Sequence, residues 1–174
     1  MAVKQLNDKF AVLTDVVFLW AKVHDAAPKY NPADGKEYSV TCLIDADTKK
    51  QLAKMKINKT IAEVDEDKYP EYEGLYTLKL TQNELKADGG ALPKPVVLGP
   101  DKQPMTDNVG NGSKGQVKIY MREGIGASKG KINVKLSSMF VQSLVPYEGT
   151  SVTDGFDDPV EAGSYDDDDD DVPF

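Results

Sequence analysis

The residues best suited to chemistry alternate with apolar residues in two neighbouring segments, GQVKIYMREG (115–124) and KINVKL (131–136). Successive side chains of a β-strand point to opposite faces, so the polar residues of each segment share one face and the apolar residues share the other. If the segments pair as a hairpin, one sheet surface presents Lys118, Tyr120, Arg122, Lys131, Asn133 and Lys135. The pattern therefore predicts a hairpin with one basic face and one apolar face.

A basic face of this kind suits a ligand with a phosphate backbone. Lysine and arginine side chains spaced along an extended surface can follow successive phosphates, and a tyrosine among them offers a ring on which any base can stack. The loop between the segments adds Lys129, and Lys114 precedes the first segment. We predict a DNA-binding surface made of Lys114, Lys118, Tyr120, Arg122, Lys129, Lys131 and Lys135. The alternative is a solvated outer face whose lysines keep the sheet soluble and protect its edge.

A second candidate site is the last part of the sequence, where an acidic run is followed by Val, Pro and Phe. The aspartates give long-range attraction to a basic surface, Pro173 stiffens the chain, and Phe174 supplies apolar area that a partner can bury. We predict a partner-binding tail formed by Asp166, Asp167, Asp168, Asp169, Asp170, Asp171, Val172, Pro173 and Phe174. The alternative is an appendage that only improves solubility.

The charge of the chain divides at the same place. The chain has 21 Lys and Arg residues against 29 Asp and Glu residues, a net charge of -8. Ten of the acidic residues and none of the basic ones lie from Ser151 onward, so residues 1–150 carry 21 basic against 19 acidic residues. A slightly basic body can bind a polyanion. Because residues 151–174 contain few apolar side chains, we predict a folded domain over 1–150 and a disordered acidic tail over 151–174.

The elements that must position the basic face are mostly strands. Apolar and β-branched runs predict strands at 10–23, 38–45, 75–80, 95–99 and in the two hairpin segments. One helix is predicted over 47–64, with Asp47 capping its first turn and Ala53, Ile57, Ile61 and Val64 along its apolar stripe. Strands with one helix and long loops favour a small β-barrel over a doubly wound fold.

The sequence around several other side chains predicts whether they lie in the core or on the surface. Phe18 and Trp20 fall on the same side of an apolar strand, and Cys42 lies in an apolar run, so we expect all three in the core. The helix lysines are expected to form a solvated face: Lys49, Lys50, Lys54, Lys56 and Lys59. Tyr69 and Tyr72 lie in an acidic segment, which makes them weaker candidates than Tyr120 for stacking on bases.

Composition and motifs argue against other classes of protein. We expect no membrane span, because no apolar run reaches 18 residues, and a cytoplasmic location, because the N-terminus lacks the pattern of a signal peptide. One cysteine and one histidine predict neither a disulfide nor a zinc site. The segment GNGSKG (110–115) has the letters of a dinucleotide fingerprint but precedes a strand rather than a helix. We therefore predict no cofactor, no metal and no enzymatic activity.

The ending DDDDDDVPF resembles the C-terminus of bacterial single-stranded DNA-binding proteins. The body is similar to a phage family of single-stranded DNA-binding proteins over residues 38–64, 110–124 and 128–149. The T7-type phage single-stranded DNA-binding protein is similar in plan, with a barrel, an inserted helix and an acidic tail that ends in Phe. The resemblance implies an oligonucleotide-binding (OB) fold, a five-stranded barrel with one inserted α-helix. It also implies that the protein coats single-stranded DNA in replication, recombination and repair, and that the tail recruits replication proteins and competes with DNA.

A protein-binding adaptor with an acidic tail is the alternative function. The sequence leaves open whether the chain forms a homo-oligomer, and whether it prefers DNA or RNA.

Overall fold

This computed structural model describes residues 1–145, which contain eight β-strands, one α-helix and three short 3₁₀ helices. The predicted tail (151–174), with its partner-binding residues Asp166 to Phe174, lies outside the described residues. The elements in chain order are β1 (Ala2–Gln5), β2 (Phe10–Pro28), β3 (Lys36–Ile44), α1 (Ala46–Lys54), β4 (Ile61–Glu63), β5 (Tyr76–Asn83), β6 (Val96–Leu98), β7 (Ser113–Glu123) and β8 (Ile132–Ser143). The architecture is therefore mainly β with one helix, as predicted.

All eight strands belong to one sheet built around β2. The strand order is β4-β5-β3-β2-β7-β8-β6, and β1 pairs with the first half of β2. β7 pairs with the first half of β2, from Phe10 to Phe18, while β3 pairs with β2 from Val17 to Pro28. Two register shifts of the 19-residue β2 lie where Asp15 (φ 54°) and Trp20 (φ 49°) adopt left-handed backbone conformations.

β5 and β8 lie against each other but do not pair, so the sheet does not close into a barrel at this point. The segment that follows α1 bridges the gap. The Ile132 N–H donates to the carbonyl of Lys56 at 2.8 Å, and the Asn58 N–H donates to the carbonyl of Ile132 at 2.7 Å. Five strands are eight residues or longer, namely β2, β3, β5, β7 and β8. A closed five-stranded OB barrel is thus not confirmed, because the sheet has eight strands and is open.

The main hydrophobic core lies on the inner face of the curved sheet and contains Phe18, Ile119 and Leu136. Cys42 belongs to it, as predicted, and burial raises the pKa of its thiol to about 12. A smaller cluster covers the outer face of β2 and β3, where Val17, Leu19, Leu43 and Val64 pack with the half-buried Tyr69, Tyr72 and Leu75. The inner core holds the strands in register, so it fixes which side chains reach the outer surface.

The helix is shorter than the sequence predicts. The predicted span was 47–64, but α1 ends at Lys54 because Lys56 turns into the left-handed region at φ 61°. Ile57 forms a bridge with Ile132, and Ile61 begins β4, so tertiary pairing overrides the helical stripe. The N-cap is Asp45 rather than Asp47, since the Asp45 side chain accepts from the Thr48 N–H at 2.8 Å. Burial alone would raise the pKa of Asp45, but this hydrogen bond lowers it.

Candidate nucleic-acid interface

The predicted hairpin is formed by β7 and β8, which pair antiparallel. Val117, Ile119 and Met121 are buried, whereas Lys118 and Tyr120 are half-buried and Arg122 is exposed. Tyr120 lies opposite Lys135 and Arg122 lies opposite Asn133, so these polar side chains share the outer face. A bulge in β8 then sets Lys118 opposite Ser138. The structure therefore places Lys118, Tyr120, Arg122 and Lys135 on one surface.

An aromatic residue that the sequence did not single out lies on this surface. Phe10 of β2 is opposite Tyr120, and the two ring centres are 5.5 Å apart with an interplanar angle of 59°. The Lys118 ammonium lies 5.6 Å from the centre of the Phe10 ring. One side of Tyr120 is therefore occupied by Phe10, and Lys118 is held near the rings by a cation–π contact.

The remaining hairpin lysines line a cleft at the end of the hairpin. Lys129 and Lys131 form one wall, and Lys56 and Lys59 form the facing wall. The cleft has a volume of about 760 Å³. Its two walls are tied together by the Ile132 hydrogen bonds already described and by the Asn58 Nδ2, which donates to the Asn133 Oδ1 at 2.8 Å. We call this feature the lysine cleft, with walls 56–60 and 129–131.

Positive charge continues beside the lysine cleft. The pKa of the half-buried Lys59 is lowered, first by burial and then by the positive charges of Lys135 and Lys79, while Glu37 opposes this. The carboxylate of Glu37 lies 3.5 Å from the Lys79 ammonium. The amines of Lys59, Lys79 and Lys135 therefore lie near one another where β5 meets β8, and the Glu37 carboxylate lies beside Lys79. An anion bound there would relieve the repulsion among the amines.

Sequence reasoning missed Lys56 and Lys59, which were predicted to lie on a solvated helix face. They lie beyond the end of α1, on the segment that bridges the sheet. A signal was present, because Ile57, Asn58 and Thr60 are all weaker helix formers than the residues before them. The lysines that do lie on α1 are not part of the lysine cleft. The Lys49 ammonium, for example, lies 4.3 Å from the centre of the Tyr76 ring.

Lys114 is the one predicted DNA-binding residue that lies far from the others. It is exposed and lies opposite Val17 and Ser143, near the start of β7. Arg122 and the hairpin loop lie at the far end of the same strand, roughly 25 Å away at about 3.3 Å per residue. A ligand that contacts Lys114 and the lysine cleft together must therefore run along the whole strand.

Trp20 is exposed, and the prediction of a core position for it was wrong. Its relative exposure is 47%, whereas Phe18 is fully buried, as predicted. The pairing register with β3 shifts between Leu19 and Lys22, which breaks the two-residue alternation at this point. Tyr69 meets the indole edge-on, with ring centres 6.1 Å apart and planes at 67°.

Other kinds of site find no support within residues 1–145. That part of the chain has no group of three or more His, Cys, Asp or Glu side chains that could hold a metal ion. None of its helices is long and apolar enough to cross a membrane. The last three residues of segment 110–115 belong to β7, so the segment lacks the helix that a dinucleotide fingerprint requires.

Comparison with known proteins identifies the fold. No family model matches the sequence, and no curated protein matches it. The single-stranded DNA-binding protein from bacteriophage Enc34, solved in complex with single-stranded DNA, is 14% identical over 84% of this chain and 96% of that chain, with a TM-score of 0.57.

A second solved structure is gp2.5, a single-stranded DNA-binding protein encoded by bacteriophage T7. It is 14% identical over 90% of this chain and 96% of that chain, with a TM-score of 0.53. The resemblance to phage single-stranded DNA-binding proteins is thus confirmed at the level of the fold.

Proposed function

We propose that this protein binds single-stranded DNA without sequence preference. The observation that carries the proposal is the lysine cleft, a space of about 760 Å³ that Lys56, Lys59, Lys129 and Lys131 line together. Lys135 adjoins it and continues the charge onto the hairpin face. The proposed DNA contacts are Lys56, Lys59, Lys114, Lys118, Tyr120, Arg122, Lys129, Lys131 and Lys135.

The physics of this surface favours a flexible phosphate chain. Each lysine that neutralises a phosphate releases a counterion, so affinity should fall steeply as salt rises. A duplex is wider and stiffer than a single strand, and its bases are not free to stack on Tyr120 or on other rings. The surface therefore suits a single strand better than a duplex.

The fold supports this assignment over an enzyme. The solved structures with the same fold are described as single-stranded DNA-binding proteins, and one of them holds single-stranded DNA. We infer that the present chain coats single-stranded DNA during phage replication, recombination and repair. In this proposal residues 1–150 bind DNA, and residues 151–174 form a separate acidic tail.

The acidic tail has two proposed roles. Phe174 and Pro173 would enter an apolar pocket of a replication protein, and the aspartates would contact basic residues around that pocket. The same aspartates can compete with DNA for the protein's own lysines, because a run of six carboxylates resembles a short stretch of phosphates.

A titration of the full-length protein with fluorescent oligo-dT, at low and moderate salt, tests the DNA-binding role. The double variant Lys56→Glu/Lys59→Glu should bind at least tenfold more weakly, and the slope of log affinity against log salt should fall by about 1.4. The matched control is Lys50→Glu/Lys86→Glu, which makes the same charge change at two exposed lysines outside the cleft. This control should bind nearly as tightly as the wild type.

Equal losses in the two double variants would show that only net charge matters and that the cleft is not the site. A matching duplex serves as the control for strand type. No binding by the wild type, even at low salt, would favour the alternative of a protein-binding adaptor.

A further inference from the structure

Trp20 is held in an exposed position at a cost to the backbone. It is the single tryptophan of the chain, and its φ of 49° is a conformation that a bulky residue rarely adopts. Phe18, two residues earlier, is fully buried. This strand therefore reaches the core, but its tryptophan does not lie there. Strain of this kind persists where the surrounding structure enforces it, and such positions cluster at functional sites.

The loop before β7 enforces the conformation of Trp20. The Asn111 Oδ1 accepts from the Trp20 backbone N–H at 2.7 Å, and the Gly112 N–H donates to the carbonyl of Phe18 at 3.0 Å. His24 adds a third link, because its Nε2 lies 2.7 Å from the carbonyl oxygen of Asp107. Residues 107–112 therefore clamp β2 on both sides of the indole.

The clamp leaves a cavity beside the indole. This cavity, of about 310 Å³, lies between residues 20–25 of β2 and residues 108–111. The polar side chains in its lining are Lys22, His24, Asp25, Asn108 and Asn111. Tyr69 packs edge-on against the indole and borders a separate, smaller cavity that Trp20 also lines. The volume is at the lower end of the range for small-molecule sites, which is suitable for one planar ring system.

The outer face of the sheet connects Trp20 to the amines of Lys59 and Lys79. Leu19, its neighbour in β2, lies opposite Thr41, and Thr41 lies opposite Lys79. Two strand spacings of about 4.8 Å separate β2 from β5, so roughly 10 Å of sheet lies between Trp20's strand and Lys79. Lys79 is one of the amines near Lys59. One extended strand can therefore reach both places.

We propose that the indole of Trp20 stacks on one unpaired nucleobase, which is seated in the 310 Å³ cavity while the neighbouring phosphates continue toward Lys79 and Lys59. This subsite rests on the proposed binding of single-stranded DNA. The Asn108 amide and the Nδ2 of Asn111 can hydrogen-bond polar atoms that every base carries, which an apolar side chain from a protein partner would not need. A base can enter only when it is unpaired, so the subsite would also discriminate against duplex DNA.

Intrinsic fluorescence tests this subsite directly, because all tryptophan emission comes from Trp20. Addition of oligo-dT to the wild-type, full-length protein should quench this emission, and the signal should saturate together with binding. The variant Trp20→Ala should bind oligo-dT about tenfold more weakly, and Trp20→Phe should recover part of the loss. Tyr30→Ala, which removes a fully exposed ring elsewhere, is the matched control and should bind like the wild type.

The possible outcomes separate this inference from the proposed function. Wild-type binding with unchanged emission, or wild-type affinity in Trp20→Ala, would overturn the subsite and leave the lysine cleft in place. The Lys56→Glu/Lys59→Glu variant should still show quenching once enough oligonucleotide is added, because the stacking site is separate from the cleft. Failure of the wild type to bind any single strand would overturn both proposals.

Discussion

The positive charge of Lys59 destabilises the folded protein, but it is suited to binding a phosphate of the proposed single-stranded DNA. Burial lowers its pKa, and the charges of Lys135 and Lys79 lower it further. The unfolded chain therefore holds this proton more tightly than the folded protein does. The penalty is fully present below the folded-state pKa and disappears as the pH rises from there toward the unfolded value of about 10.4. A bound phosphate would offset it at neutral pH.

We expect Lys59→Gln to raise the melting temperature at pH 7 and to weaken DNA binding. The variant should lose the wild type's gain in stability between neutral pH and about pH 10, because that gain comes from deprotonation of Lys59. Its log–log salt slope for oligo-dT should fall by about 0.7, the value for one lost phosphate contact. Thermal unfolding at both pH values and a salt titration measure these effects, with the exposed Lys86→Gln as the control. A lower melting temperature in Lys59→Gln would contradict this account.

Among the elements, the β7–β8 pair has one position, Gly115, at which the two backbones leave no room for a side chain. Gly115 of β7 lies where the register with β8 shifts, and a Cβ added there would overlap the carbonyl oxygen of Phe140 and lie 3.0 Å from the Gln142 nitrogen. Both of these atoms belong to the backbone, which cannot move aside as a side chain can. Glycine at this position therefore lets the two strands that carry the basic face approach each other.

Gly115→Ala should consequently destabilise the protein by about 3 kcal/mol, at the upper end for overpacking. The control is Gly99→Ala, whose added Cβ would meet the flexible side chain of Met105 at 3.3 Å and should cost far less. Chemical denaturation of both variants measures the difference. Similar stability in the two variants would show that the β7–β8 backbone can separate without much cost.

The strands of the interface were predictable from sequence, but two departures from regular structure were not. The alternation in 115–122 is a local pattern, and it correctly gave the buried Val117 and Ile119. Trp20 and the end of α1 were missed because Trp20 and Lys56 have left-handed backbones without being glycines. Their conformations depend on Asn111 and Ile132, partners more than seventy positions away in the chain. No local pattern carries that information.

The short strands were missed for a related reason. β1 (AVKQ) and β4 (IAE) are too short to show a period and gain their conformation from β2 and β5. The lysine cleft could not be predicted either, since its two walls come from separate parts of the chain. The sequence predicted only the two lysines of one wall of the cleft, Lys129 and Lys131.

At the scale of the whole molecule, charge is divided between a slightly basic body and an acidic tail. Residues 1–150 carry 21 basic against 19 acidic residues, and the last 24 residues carry ten acidic residues and no basic ones. If residues 1–150 bind DNA as proposed, a tail with this charge would compete with DNA for the same lysines. The two ligands would then compete through electrostatics, which salt screens.

Deletion of residues 151–174 should therefore tighten oligo-dT binding several-fold at low salt. The gain should shrink at physiological ionic strength, where the Debye length is about 8 Å. A chain with the six aspartates from Asp166 to Asp171 changed to asparagine is the control for tail length, and it should behave like the deletion. Fluorescence titration measures both; unchanged or weaker binding after deletion would rule out competition.

The bridge between Lys56 and Ile132 also bears on how quickly the protein folds. Its hydrogen bonds join residues more than seventy positions apart, and β2 must find partners as distant as β7. Chains dominated by such long-range contacts fold slowly, on a scale of milliseconds to seconds, because loop closure must precede the gain from contact. Since the lysine cleft exists only once the bridge has formed, a newly made chain should acquire affinity for its ligand late in folding, after the hairpin is in place.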